Sequence, residues 1–303
     1  MKVQFRTISL VVSGLLALLS IWAIATYGLR VGIDFRGGEL LELRFVDSTS
    51  TQEVRTALEA GERESVIPHA TAAETTTNTF LIRTATDDQA QIDGLRTYLN
   101  DTVGEWQEIR FERVGPTVGK DLTRKAFLGV TLASLAIILY IAWAFRRVPP
   151  PTNSWQFGVT AIVALLHDLL ITVGAFALLG HFLGYEVDAL FITALLTVMG
   201  FSVHDTIVTY DRIRENLLQH PGAPFEPLVN ASIAQTVVRS FNTSLTLIFV
   251  LLALLLIGGS SIRPFIVALL VGVSVGTYSS IFVASQLLVV WQSLRPRRTA
   301  PTR

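Results

Sequence analysis

One acid of this chain sits where an acid is hardest to tolerate. Asp205 follows Ala189–Val203, an uncharged and largely apolar run, and opens the stretch Asp205-Thr206-Ile207-Val208-Thr209-Tyr210-Asp211-Arg212-Ile213-Arg214-Glu215-Asn216. An ionised carboxylate at a bilayer centre costs roughly 2.5–3.5 kcal/mol on insertion scales, and less toward the interface. Such residues face a protein interior or a wet cavity and mark ion or proton paths. The next apolar segment carries Arg239 in its first turns, a candidate partner. Protonating Asp205 would remove its attraction to Arg239 and free two helices to shift, a two-state element driven by charge. One charge crossing 100 mV is worth about 2.3 kcal/mol, enough to bias such an element. The plainer readings are a static pair joining two helices, or an Arg239 that snorkels to lipid headgroups. Thr236, Arg239, Thr243 and Thr246 recur at helical spacing, which reads as a hydrated path rather than a lipid face.

A second acid, Asp168, follows His167 inside another apolar run, with Thr172 one turn on. This pair reads either as an accessory proton site or as a buried hydrogen-bonding pair. His204 puts a further titratable group beside Asp205, so the accessory path would comprise His204, Asp168, His167 and Thr243. A metal site built from the two His-Asp pairs is disfavoured. Neighbouring residues on a helix point about 100° apart, and no Glu-x-x-His spacing occurs. The chain has no cysteine, so disulfides, thiol catalysis and thiolate metal sites are excluded. Nucleophile elbows, phosphate loops and zinc-protease motifs are absent, so no enzyme, cofactor or metal is expected. Gly272, Gly276 and Ser280 form a small-xxx-small row, a signal for close helix packing. Gly32-Ile33-Asp34-Phe35-Arg36-Gly37-Gly38 and Val114-Gly115-Pro116-Thr117-Val118-Gly119-Lys120 read as tight connections flanking a soluble segment.

The elements that must carry these residues are membrane helices. Of 303 residues 50% are hydrophobic and 16% charged, and mean hydropathy is +0.51. That is too apolar for a soluble protein. Net charge is zero, so nothing points to nucleic acid. Residues 1–29 hold the N-terminus and a first span, Ile8 to Thr26; a signal peptide is the rival reading, and five later spans favour a retained helix. Residues 30–125 are rich in charge, Thr and Gly and form one mildly acidic α+β domain. Strands are expected at Leu40–Phe45, Glu64–Ala70, Thr79–Thr84 and Trp106–Val114, and helices at Ser50–Ala60 and Asp88–Thr102. The order βαββαβ suggests a ferredoxin-like split fold. Residues 126–294 supply five more spans, starting near Ala126, Trp155, Val187, Ala234 and Pro264. A charged loop from Tyr210 to Ile233 is broken by Pro221, Pro224 and Pro227. Residues 295–303 form a basic tail. The predicted class is a six-helix polytopic membrane protein with an extracytoplasmic ferredoxin-like domain between helices 1 and 2.

The short-loop bias of Lys and Arg sets the orientation. Lys2 and Arg6, Arg146 and Arg147, Arg212 and Arg214, and the tail arginines belong in the cytoplasm, so both termini lie inside. The soluble domain then lies outside, periplasmic or extracellular. Arg263 is the exception on the outer side.

Six stretches together resemble the SecF family, the smaller half of the SecD–SecF protein-export complex, within the proton-driven RND-type transporters. They are Gly32-Ile33-Asp34-Phe35 with Gly37-Gly38; Val114-Gly115-Pro116 with Val118-Gly119; His167-Asp168 with Thr172 and Gly174; Phe201-Ser202 with Asp205–Val208 and Asp211–Asn216; Arg239-Ser240 with Thr243-Ser244; and Gly276–Phe282. The Asp205–Asn216 stretch is the most specific. The resemblance implies a bacterial inner-membrane subunit that uses the proton gradient to help release preproteins after the ATP-driven step of export. The family's functional acid and arginine match Asp205 and Arg239. SecD would be a separate subunit supplying matching helices across a pseudo-twofold interface. The SecYEG channel, YajC, YidC and the translocating preprotein would be further partners. This chain departs from the family at Arg36, where a small hydroxyl residue is usual, and at His204, where Asn is usual. Two other readings remain open: a structural assembly subunit, which would tolerate loss of Asp205 and Arg239, and a small-molecule or lipid exporter, which would need a large apolar pocket in the outer domain.

Overall fold

The structure, a computed structural model, describes residues 3–86 and 88–294. Lys2 and the arginines of the basic tail lie outside the described residues. The elements run α1 (Val3–Tyr27), α2 (Ile33–Arg36), β1 (Gly38–Phe45), α3 (Thr51–Arg63), β2 (Ala70–Thr76), β3 (Thr79–Thr84), α4 (Gln89–Thr102), β4 (Trp106–Val114), α5 (Pro116–Ala144), α6 (Ser154–Leu183), α7 (Ala189–Gln219), α8 (Phe225–Ile257), α9 (Arg263–Ser279), a π turn (Ser280–Ala284) and α10 (Ser285–Ser293). Six helical stretches among the described residues are long and apolar enough to cross a membrane, the last being α9 to α10.

The outer domain has the expected βαββαβ order. Its sheet order is β2-β3-β1-β4, every pair antiparallel. Two helices cover one face. Leu41, Leu43 and Phe45 of β1 pack with Val54, Leu58, Leu95 and Leu99 of α3 and α4 in a single apolar cluster. Ser50 starts α3 with a reciprocal capping box to Glu53. The expected strand at Glu64–Ala70 is not one: β2 begins at Ala70. Ser65 adopts a positive φ of 59° and Pro68 has no N–H to give a ladder, so the segment is a connection whose Ile67 plugs the core. Ile109 and Phe111 of the edge strand β4 alternate as read, yet stay exposed, with Phe111 flanked by the guanidinium groups of Arg96 and Arg113.

In the bundle, the charged stretch after Tyr210 is helix rather than loop. Arg212 pairs with Glu215 and Arg214 with Asp211 at i,i+3, while Ile213 and Leu217 bury on the opposite side. Helix α7 thus continues to Gln219, and α8 resumes at Phe225. Pro227 falls in the first turn of α8, where a missing N–H breaks no helical hydrogen bond. An ion pair of 3.1 Å between Arg6 and Glu226 puts the starts of α1 and α8 at the same end. The outer domain and the loops before α7 and α9 share the other end, where they line one cleft. Small residues set the helix spacing. A Cβ on Gly174 of α6 would meet Ser20 of α1 at 2.3 Å, and one on Gly272 of α9 would meet Val198 of α7 at 2.3 Å.

The domain is clamped to the bundle at the start of α7. Val31 and Val187 form a bridge, with Gly32 N–H donating to Val187 O at 2.9 Å and Val187 N–H to Arg30 O at 2.7 Å. Asp34 accepts from Ala189 N–H at 2.8 Å. Gly37, at φ +79°, turns the chain from α2 into β1. Arg83 of β3 pairs with Glu186 at 3.0 Å. Burial pushes Glu186 and Asp188 above the ordinary carboxylate range, and burial pulls Arg83 down despite Glu186 and Asp188 beside it.

Gly174→Ala should destabilise the protein by about 1–3 kcal/mol through overpacking, whereas Gly14→Ala, which meets nothing within 4 Å, should be neutral or stabilising; thermal unfolding in detergent separates the two. At the clamp, Arg83→Met strands the Glu186 carboxylate, and proteolysis between outer domain and bundle should speed up; adding Glu186→Gln should restore much of the protection. Because the docked state raises both carboxyl pKa values, the clamp should hold best at low pH and loosen as pH climbs from about 4.5 through the raised values. Protection that grows with rising pH over that range would contradict this.

Candidate functional site

The centre of the bundle is polar, built by hydroxyl side chains of α6, α7, α8 and α9. Asp168 of α6 is fully buried. Its Oδ2 accepts from Ser202 Oγ of α7 and from Ser279 Oγ of α9, each at 2.6 Å. Its Oδ1 lies 3.0 Å from His167 Nδ1. Thr172 bonds the Asp168 main-chain carbonyl at 2.8 Å, not the carboxylate. This carboxyl therefore has three close partners from three helices.

Asp205 of α7 is 2% exposed but poorly served. Its Oδ2 lies 3.4 Å from Ser244 Oγ of α8, and its Oδ1 lies 3.6 Å from His204 Nδ1. Ser244 has one proton, and the Ser240 carbonyl competes for it at 2.9 Å. Thr277 Oγ1 of α9, 2.6 Å from Ser244 Oγ, continues the chain of hydroxyls. Ser202 and Asp205 lie one turn apart on α7, so the two carboxyls belong to one polar layer. Below it, Thr206 meets Ser280 at 2.9 Å, and Tyr210 OH donates to the Ala284 carbonyl at 3.1 Å. The π turn supplies that carbonyl, since its wider winding takes the backbone out of the usual i→i+4 ladder. Gly276 and Ser280 face α7 in the same row: a Cβ on Gly276 would sit 3.0 Å from Ser202 Cβ.

Arg239 is not at this layer. It lines a cleft with Arg146, Arg147 and Arg212, and among the described residues no ion pair joins it to Asp205. The reason lies in α8. Ser232, Thr236, Ser240 and Ser244, four residues apart, form its buried face, and Arg239 and Thr243 point about 100° away from Ser240 and Ser244. Thr243 and Thr246 are exposed and bond their own helix. The hydrated stripe expected along Thr236, Arg239, Thr243 and Thr246 is thus split between two faces. His204 is exposed too, its side chain 61% accessible, whereas His167 is nearly enclosed. Among the described residues no cluster of three or more His, Asp or Glu side chains could hold a metal.

Sequence reasoning found both carboxyls but missed what surrounds them. Ser202, Ser244, Thr277 and Ser279 carry most of the hydrogen bonds. The signal for Ser202 and Ser244 is Ser and Thr recurring every four residues within apolar helices, 202-206 and 232-236-240-244, a pattern that buries hydroxyls on one face; Thr277 and Ser279 belong to no such repeat.

Known proteins are similar to this chain along nearly its whole length. The family model described as protein export membrane protein SecD/SecF, C-terminal, matches residues 95–294. The protein translocase subunit SecF of Thermobaculum terrenum is 47% identical over 287 residues, covering 91% of this chain and 90% of its own. The protein translocase subunit SecDF of Thermus thermophilus is 37% identical over 94% of this chain and 38% of its own length. The crystal structure of SecDF from Thermus, described as a translocon-associated membrane protein, superposes with a TM-score of 0.83 at 34% identity; the match covers 97% of this chain and 39% of that one. The chain spans about two-fifths of that fused protein and nearly all of a separate SecF. It belongs to the SecF family of protein translocase subunits, among the SecD/SecF protein-export membrane proteins.

Proposed function

We propose that the chain couples the proton-motive force to a late stage of protein export, with Asp205 as the proton-accepting group and Arg239 as its intermittent partner. The observation that carries this reading is the unequal treatment of two buried carboxyls in one layer. Asp168 is held by short bonds from three helices, which suits a fixed structural role. Asp205 has two long contacts, so its charge is left to whatever else reaches it: a proton, His204, or an Arg239 brought round by movement of α8. In this reading the described arrangement is the unpaired state of the switch. Burial of a carboxylate with so little compensation is expensive, and that expense is what lets a gradient do work on helix positions.

The partner reading follows from the exposed faces. Thr193, Thr197, Gly200 and His204 line one side of α7, and Arg239, Asn242, Thr243 and Thr246 the adjoining side of α8. Polar side chains on the outside of membrane helices call for protein or water rather than lipid. The SecDF fusion supports a SecD-type half as that occupant, supplied here by a second polypeptide that would present its own helices to this face. The SecYEG channel and the emerging preprotein would be the further partners, with YajC and YidC as accessory ones. The end bearing Arg6, Arg146, Arg147, Arg212 and Arg214 would face the cytoplasm of a bacterial inner membrane, and the outer domain the far side.

Export into inverted vesicles under an imposed proton gradient tests the proposal. Asp205→Asn should assemble with SecD yet lose the gradient-dependent part of export by at least about ten-fold, and Arg239→Met should do the same. Normal export by both variants would leave a scaffold role instead. The two carboxyls should also part company in stability: Asp168→Ala takes the acceptor from the buried Ser202 hydroxyl, leaves Ser279 only the Gly276 carbonyl of its own helix and should cost about 1–3 kcal/mol, while Asp205→Asn should change the unfolding temperature little. Equal losses would remove the distinction on which the proposal stands.

A further inference from the structure

The arginine-lined cleft between α5, α7 and α8 is large, about 810 Å³, and lies at the end of the bundle opposite the outer domain. Five guanidinium groups line it, from Arg146, Arg147, Arg212, Arg214 and Arg239. Only two carboxylates oppose them there. Glu215 is taken by Arg212 at 2.6 Å, and Asp211 by Arg214 at 3.5 Å. Among the described residues Arg147 and Arg239 have no carboxylate partner. Arg146 lies over the Trp143 ring at 4.7 Å and donates to that residue's carbonyl. Arg214 Nε is buried without an acceptor among the described residues. The cleft thus holds three positive charges with no carboxylate partner among the described residues and an idle buried donor, a concentration of charge that attracts an anion.

The walls say what kind of anion. Tyr140 and Trp143 line the cleft, and both are exposed on the outer side of α5. Aromatic residues of this kind gather at headgroup depth. From there the exposed Leu139, Leu135 and Leu132 continue along α5 toward its other end as an apolar track. Guanidinium forks match phosphate oxygens in pairs. We propose that this cleft binds a phosphate-bearing anion, with the headgroup of an anionic phospholipid as the occupant its walls fit and free phosphate as the other source of the same chemistry. The site does not depend on the export reading, because it rests on charge balance and position alone.

The test uses the full chain, alone and together with its SecD-type partner. Phosphatidylglycerol and phosphatidylcholine retained on the protein are counted by native mass spectrometry, and in a second arm inorganic phosphate is titrated while unfolding temperature is followed. Wild type is compared with R146Q/R147Q, and with R124Q/K125Q, which removes the same charge from the opposite end of α5. Phosphatidylglycerol should be retained over phosphatidylcholine, and its affinity should drop roughly five-fold for each cleft arginine removed, with the control pair unchanged. A shift by inorganic phosphate that R146Q/R147Q abolishes would identify free phosphate as the occupant and support the same site. The proposal is overturned if neither probe distinguishes R146Q/R147Q from wild type. It is also overturned if phosphatidylcholine is held as well as phosphatidylglycerol while phosphate has no effect, or if binding vanishes once the partner is present, since the cleft would then be a protein interface.

Discussion

Everything in the bundle answers to one constraint: two carboxyl groups must sit among apolar helices with no bulk water to solvate them. The solution is a layer of short hydroxyl side chains. Ser202, Ser244, Thr277 and Ser279 reach inward from α7, α8 and α9, and they can do so only where the helix backbones stand close. Gly272, Gly276 and Ser280 provide that closeness along the α7–α9 seam. The small-residue row and the buried acids are therefore one feature. Remove the glycines and the hydroxyls could no longer reach; remove Asp168, and Ser202 and Ser279 would lose their bonds to a neighbouring helix. The π turn belongs to the same arrangement, since it offers main-chain acceptors to Tyr210 and to Ser285 just below the acids.

Much of this was readable from the residues. Length and apolarity located six spans, and period-two and period-3.6 patterns located the strands and helices of the outer domain, including the Ser50 and Asp88 starts of its helices. The misreadings have local causes. Glu64–Ala70 has the composition of a strand, but Ser65 and Pro68 veto the ladder. Tyr210–Ile233 has the charge and the prolines of a loop, but charge ends only the apolar part of the helix; Ile213 and Leu217 keep the helical face going. The site itself divides in the same way. Which acids are buried follows from one-dimensional context. Whether Asp205 meets Arg239 depends on the rotation of α8 about its own axis, and a helix with hydroxyls on one face and an arginine 100° round can present either. No periodicity decides that.

The two ends of the molecule follow opposite electrostatic rules. At the outer end, acids and arginines are interleaved and largely matched, as in the Arg83–Glu186 pair. At the other end arginine is in excess. The excess does not arise from long basic loops, since Arg212 and Arg214 lie on the continuous helix α7 and Arg146 and Arg147 follow directly on α5. Arg212 and Arg214 are thereby fixed on a rigid element, with Arg146 and Arg147 in the turn that directly follows another.

Asp34 does more than tie down a turn. By accepting from the first N–H of α7, it joins the linker of the outer domain to the tip of the helix that carries Asp205 some sixteen residues further along, about 24 Å at the rise of an α-helix. A helix resists bending far more than it resists tilting. The outer domain therefore holds one end of the helix whose middle bears the buried acid, and the glycine seam packs along that same helix. The domain's anchor and the buried acid are thereby two points on one continuous helix, and neither can shift along its axis without the other.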